Sequence, residues 1–299
     1  MYSWLVIAIV MEEGMARIFF IINLAMLFAQ GNPAGASDFP WKKIIGPKVE
    51  RYRSDFLRKV EQRLDELKCY GSCSLSISEC VRKGMGSTAP MLAKEILNVM
   101  ESGIEGKQLE KWLESRRKSA HPEFTSSFAL DGLTPFGPAG APVVVVEFLD
   151  FECPFCSRIA PVIHDVIKAA GGKAKLYWKM FPLKSHPHSV LAARACVAAS
   201  RLGKSWDYCP KIYELKDVTR EALVALAIES GIDEEGFIRE LDGDASLERV
   251  ADDKMEGLRA LVNATPAFFI NGKKLLVPPD RQILLDRIEE EIFIKQGRD

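Results

Sequence analysis

Net charge is what this sequence has least of: 40 basic residues stand against 41 acidic ones, leaving −1. So balanced a chain gives no argument for a nucleic-acid partner or for an anionic membrane surface. Its short basic run, Arg116-Arg117-Lys118, reads as a solvated helix end. Internal repeats and low-complexity tracts are missing as well. Beyond residue 36 the run Val143 to Leu149, rich in β-branched residues, is too short to span a bilayer. The composition, 47% hydrophobic and 27% charged, is ordinary for a globular protein. At 299 residues there is room for a targeting segment, one full-sized domain and a smaller one.

Cysteine is present in an informative number. The seven fall at Cys69, Cys73 and Cys80, at Cys153 and Cys156, and at Cys196 and Cys209. In a reducing compartment such clusters suggest metal binding or catalysis, and in an oxidising one disulfides or redox chemistry. The start of the chain speaks to compartment. From Met15 it reads Met-Ala-Arg, an apolar run Ile18 to Phe28, then Ala34-Gly35-Ala36. That order is a secretory signal peptide over residues 1–36, cleaved after Ala36, with Met15 as the expected true start. The alternative is an uncleaved N-terminal membrane helix, which would bury Glu12, Glu13 and Arg17 at considerable cost. Export to the periplasm, or another extracytoplasmic space, is the expectation.

Residues 37–120 read as a small all-helical module. A helix is expected from Pro47 to Lys68, a cysteine-bearing loop from Cys69 to Gly86, and helices from Pro90 to Ser102 and Gly106 to Ser119. Residues 121–142 are a linker, punctuated too heavily by Gly and Pro for regular structure. In residues 143–299 the pattern is β-α-β, a block of helices over about 186–262, then β-β-α. The strands are expected at Val143 to Leu149, Lys175 to Phe181, Ala267 to Ile270 and Lys273 to Val277, the last two joined by an Asn271-Gly272 turn. Within the block, single helices are expected over Ser205 to Leu215 and Leu247 to Val262, and a final helix from Asp280 to Lys295.

The chemistry lies in Cys153-Pro154-Phe155-Cys156, which directly follows the buried strand and opens a helix. A thiol at a helix N-terminus meets unpaired N–H groups and the positive end of the dipole, which favour thiolate. Pro154 suits a first turn that needs no N–H. Cys156 can then close a disulfide with Cys153 or resolve a mixed one. A zinc reading needs a second ligand pair, and its candidates lie in a separate module with irregular spacing.

The stretch Phe148-Leu149-Asp150-Phe151-Glu152-Cys153-Pro154-Phe155-Cys156 resembles the active-site strand and helix of the DsbA-like thioredoxin family. Thr265-Pro266-Ala267-Phe268-Phe269-Ile270-Asn271-Gly272 resembles that family's second signature, and the resemblance covers about residues 142–295. It implies an α/β, thioredoxin-like fold with an inserted helical subdomain. It also implies a thiol-disulfide oxidoreductase that needs no cofactor or metal. Cys153 would be the nucleophile, Cys156 the resolving thiol, and Thr265-Pro266 a cis bond facing them, leaving the Thr265 backbone to pair with substrate. Glu147 would be a buried acid assisting proton transfer. The implied partners are cysteine-containing exported proteins and a membrane redox partner of DsbB or DsbD type. Phe155 departs from strongly oxidising members, which carry His there, so the direction of electron flow stays open. His186 and His188 are expected on a solvent-facing loop, with no role.

Cys196 and Cys209, in neighbouring helical segments, are expected to form a structural disulfide, with two buried thiols as the alternative. Residues 67–119, with Cys69, Cys73 and Cys80, are similar to the helical domain of CcmH-type cytochrome c maturation proteins. The spacing departs from that family's C-x-x-C, so either one structural disulfide or a second redox centre fits. Two further functions remain open: a reductase or isomerase serving apocytochrome c maturation, and a non-enzymatic chaperone or scaffold.

Overall fold

A computed structural model describes residues 38–297, so the signal-peptide reading of 1–36 lies outside the described residues. The chain divides into two compact units, 1–61 and 62–299. The described part of the first holds helix α1 (Trp41–Ile45), a 3-10 turn (Gly46–Arg51) and the opening of α2 (Ser54–Glu66). The single helix expected from Pro47 is interrupted. Tyr52 is extended, at φ −102° and ψ 138°, and α2 starts afresh at Ser54.

Inside the second unit, the expected loop between Cys69 and Gly86 contains a helix, α3 (Ile77–Lys83). Its start is a capping box. The Ser76 hydroxyl accepts the Glu79 N–H at 3.3 Å, and the Glu79 carboxylate accepts the Ser76 N–H at 3.3 Å. A Cys73–Cys80 disulfide ties the preceding loop to this helix, with Cα atoms 6.2 Å apart. Helices α4 (Thr88–Glu101) and α5 (Gly106–Ala120) follow.

The basic run on α5 is not one solvated surface. Arg117 and Lys118 do pair with Glu114 in the open, but Arg116 is fully buried. Its guanidinium donates to Glu95 of α4 at 2.8 and 3.0 Å and to Glu290 at 2.8 Å. Glu290 lies on α12 (Arg281–Lys295), where Arg287 also reaches Glu290, and Glu291 at 2.6 Å. A buried charge needs such partners, since water is not there to solvate it.

The sheet has strand order β2-β1-β3-β4. Strands β1 (Val143–Leu149) and β2 (Ala174–Met180) run parallel, and β3 (Ala267–Ile270) and β4 (Lys273–Lys274) are antiparallel additions. Helix α6 (Pro154–Ala169) makes the crossover from β1 to β2. The β3–β4 turn is Asn271 at φ 49° and Gly272 at φ 79°, and a Cβ on Gly272 would stand 2.2 Å from the Ser126 carbonyl oxygen. Strand β4 ends sooner than expected. The Leu276 N–H is turned to the Ser119 hydroxyl of α5 at 2.8 Å, and Pro278-Pro279 bring no donors to a ladder.

Residues 121–142 lie along this sheet. Phe136 and Leu176 exchange both backbone hydrogen bonds at 2.9 Å, and the Phe128 ring meets those of Phe148 and Phe269 at 5.3 and 4.9 Å.

Between β2 and β3 come α7 (Ser189–Arg201), the single turn α8 (Ser205–Tyr208), α9 (Arg220–Glu229), α10 (Glu234–Asp242) and α11 (Asp244–Arg259). The helix expected from Ser205 to Leu215 breaks after α8 into a 3-10 turn, Cys209–Glu214. Pro210 lacks the N–H that an α-helical ladder would need there. The helix read from Leu247 begins at Asp244 and ends at Arg259. Cys196 and Cys209 are joined by a disulfide, with Cα atoms 5.1 Å apart. Helix α11 covers the far face of the sheet, where a Cβ on Gly257 would meet the Phe181 ring at 2.7 Å. This α/β sheet with a helical insertion is the fold that the resemblance implied. Among the described residues, no helix is long and apolar enough to cross a membrane.

Candidate active site

Strand β1 delivers the chain to the site, and the turn after it aims the first thiol. Asp150 holds that turn. Its carbonyl accepts the Cys153 N–H at 3.1 Å, and its side chain accepts the Glu152 N–H at 2.9 Å. Cys153 is the N-cap of α6 and Pro154 opens the helix. No side chain caps this end, so the first-turn N–H groups face the thiol end of the helix.

Cys153 and Cys156 are both thiols here, and both are buried. The Cys153 thiol donates to the Thr265 carbonyl oxygen at 3.3 Å, and Thr265-Pro266 is a cis peptide bond. The structure thus brings the C-x-x-C and the Thr-Pro pair, 112 residues apart, into contact. Burial pushes the Cys156 thiol well above the ordinary range, and the nearby Glu147 carboxylate pushes it the same way.

Glu147 is flanked by its neighbours in the sheet, Trp178 on β2 and Phe268 on β3. Burial raises its carboxyl to about 8, against the pull of a hydrogen bond that the Trp178 indole N–H donates at 2.7 Å. An acid with that value takes and releases a proton near neutrality. Behind it lie two groups that the sequence did not single out. His164 of α6 stacks on Trp178 with centroids 5.3 Å apart, and burial, then Lys168, lowers it to about 4. Tyr213 packs on Phe151 at 5.0 Å, its phenol raised first by burial and then by Glu147.

Outside the thiols, Phe155, Arg158, Ile159, Thr265, Pro266 and Pro279 line a mostly apolar depression of about 280 Å³. Phe155 is 61% exposed, with the Arg158 guanidinium 4.7 Å from its ring centroid. Arg158 and Pro279 carried no signal in sequence, because only the fold brings the segment between β4 and α12 beside α6.

The two histidines lie on the loop after β2, as expected, with His188 exposed and His186 half-buried. The His186 ring is 2.8 Å from the buried Asp150 carboxylate, and His188 meets Glu152 through its N–H at 2.7 Å and its ring at 3.2 Å. The other cysteines stay apart from this cluster in the fold: Cys73–Cys80 at α3, and Cys196–Cys209 in the insertion. Cys69 is buried near the former, its thiol donating to the Tyr70 carbonyl at 3.4 Å. Among the described residues, no three His, Cys, Asp or Glu side chains gather as metal ligands would.

A family model described as thioredoxin matches residues 130–290, more than half of the chain. The chain belongs to the thioredoxin family. A thioredoxin-like oxidoreductase from Silicibacter pomeroyi DSS-3 has a similar structure, with a TM-score of 0.50 at 21% identity over 59% of this chain and 97% of its own. The thiol-disulfide exchange protein alpha-DsbA2 of Wolbachia pipientis aligns with a TM-score of 0.49 at 20% identity, over 61% of this chain and 95% of its own. At 21% identity the first of these likenesses bears on the fold alone. Among curated proteins, Na(+)/H(+) antiporter NhaA 1 of Mycolicibacterium gilvum (strain PYR-GCK) is 37% identical over 157 residues. That match covers 51% of this chain and 25% of the antiporter. The chain spans about a quarter of the length of the curated relatives it matches.

Proposed function

We propose that this chain is an extracytoplasmic thiol-disulfide oxidoreductase that exchanges disulfides with cysteine-containing exported proteins through Cys153 and Cys156. One observation carries the reading: the Cys153 thiol, at the front of α6, lies 3.3 Å from the Thr265 carbonyl beside a cis-proline and an apolar depression. A substrate strand laid along Thr265 would take over that carbonyl and bring its own sulfur to Cys153.

In the reducing direction the Cys153 thiolate attacks a substrate disulfide. A mixed disulfide forms and one substrate thiolate leaves. Cys156 then gives its proton to Glu147 and attacks the Cys153 sulfur, which breaks the mixed disulfide and releases the second substrate thiolate. Protons from Glu147 and solvent complete the two substrate thiols. Two electrons have passed from the cysteine pair to the substrate, and the reverse sequence oxidises one. A membrane redox partner of DsbB or DsbD type would reset the pair. The disulfides Cys73–Cys80 and Cys196–Cys209 support an oxidising compartment, since cytosolic reductants keep such pairs open.

Phe155 favours the reductase or isomerase reading over a strong oxidase. Its ring offers no hydrogen-bond donor to a thiolate at Cys153, which leaves the disulfide form comparatively stable. An insulin-reduction assay on the full chain tests the proposal. Catalysis that disappears in Cys153→Ala supports it, and equal turbidity with and without Cys153 contradicts it. Equilibration with glutathione then fixes the direction.

A further inference from the structure

The carboxylate three residues before Cys153 is the most heavily held acid around the site. Asp150 is fully buried at its side chain, while His186 is 22% exposed. Oδ1 accepts the Glu152 N–H at 2.9 Å, and Oδ2 accepts the Leu183 N–H at 2.7 Å beside the His186 ring at 2.8 Å. Facing a carboxylate that accepts from every neighbour, Nδ1 of His186 is the donor. Glu152, next to Cys153, is held by the same segment through His188. The loop that leaves β2 and leads into the inserted helices is therefore stitched to both acids of the turn that carries the nucleophile.

We propose that His186 is a positioning residue that sets the redox balance of the Cys153–Cys156 pair by holding, and partly neutralising, the Asp150 carboxylate. The inference rests on the oxidoreductase reading and adds a determinant of direction to it.

The physical chain is short. A buried carboxylate in the turn that carries Cys153, where the Asp150 carbonyl accepts the Cys153 N–H at 3.1 Å, opposes the thiolate, and through it the reduced form of the pair. Each donor on that carboxylate spreads its charge and weakens the opposition. Two of the three donors to Asp150 are backbone N–H groups, which no side-chain replacement removes; His186 is the third. With Phe155 between the cysteines supplying no polar group, the tuning falls to this imidazole, delivered from beyond β2. Less opposition to the thiolate makes the disulfide easier to reduce, so His186 raises the oxidising power of the pair.

The test is equilibration with glutathione of the full chain carrying wild-type sequence, His186→Ala, His186→Asn or Asp150→Asn, with thermal unfolding recorded alongside. His186→Ala leaves the acid with one donor fewer and moves the equilibrium toward the disulfide by about three- to tenfold. His186→Asn keeps an amide donor near the place of Nδ1 and restores the wild-type ratio. Asp150→Asn deletes the charge and moves the ratio the opposite way, toward dithiol. Loosening of the turn alone would send His186→Ala and Asp150→Asn in the same direction, and that result overturns the proposal. So does an unchanged ratio in a folded His186→Ala. If the wild-type chain exchanges no disulfide at all, the oxidoreductase reading falls; if it exchanges and His186 has no effect, only this inference does.

Discussion

The Trp178 indole N–H donates to Glu147 Oε2 at 2.7 Å across the parallel β1–β2 pair, and no ion pair joins that carboxylate among the described contacts. The acid is held by a neutral donor in an apolar wall. Glu147 keeps its proton to higher pH than an exposed acid and can exchange it with the buried Cys156 thiol. We expect Glu147→Gln to leave attack by Cys153 intact and to slow resolution by Cys156 about tenfold or more at neutral pH. Rapid-quench measurement of mixed-disulfide decay checks this. Unchanged decay would remove Glu147 from the mechanism.

The same burial makes stability depend on pH. The Glu147 carboxyl lies at about 8 in the folded chain, against 4.5 ordinarily. Between those values the folded state keeps a proton that the unfolded state has released. Its contribution to stability is thus fully present below the lower value and is lost as pH rises through the upper one. Glu147→Gln removes this dependence. Relative to wild type it should gain about 4 kcal/mol between pH 4.5 and pH 8.5, read from urea unfolding at each pH. Parallel curves for the two proteins would contradict the account.

Arg116 gives a second stability test. Replacing it by Leu strands Glu95 in a fully buried site and leaves Glu290 with Arg287 alone. We expect Arg116→Leu to destabilise by about 3–5 kcal/mol, with much of the loss recovered when Glu95→Gln and Glu290→Gln are added. Equilibrium denaturation of the single and triple variants measures both effects.

The paired replacement Cys196→Ala, Cys209→Ala opens a link with a sequence separation of 13 residues. Chain-entropy arguments put its loss at about 3 kcal/mol, seen as a lower denaturation midpoint without loss of the Cys153 exchange reaction. Non-reducing peptide mapping should recover the two cysteines in one linked fragment.

These residues also mark how far the sequence could be read. Strand β1, the start of α6 and the Asn271-Gly272 turn were legible because their signals are local: an apolar run, a proline in a first turn, a pair suited to positive φ. Helix α3 was hidden by the glycines and serines around it, although Ser76 and Glu79 carried its capping box. Arg116 looked like its neighbours Arg117 and Lys118, and only the arrival of Glu290, 174 residues away, makes it an interior residue. His186 lies on the expected loop, but its contact with Asp150 was hidden for the same reason. Its partner lies 36 residues back on another element, and no spacing rule connects a loop after one strand to a turn after another.

The central claim is that Cys153 forms the bond to substrate and Cys156 breaks it. The most direct measurement is trapping with a disulfide-bonded model peptide, read by mass spectrometry on the reduced full chain. Cys156→Ala should accumulate a stable mixed disulfide at Cys153, wild type should pass through it and release reduced peptide, and Cys153→Ala should form no adduct at the motif. An adduct that builds up equally at Cys156 in Cys153→Ala, or none in Cys156→Ala, would contradict it.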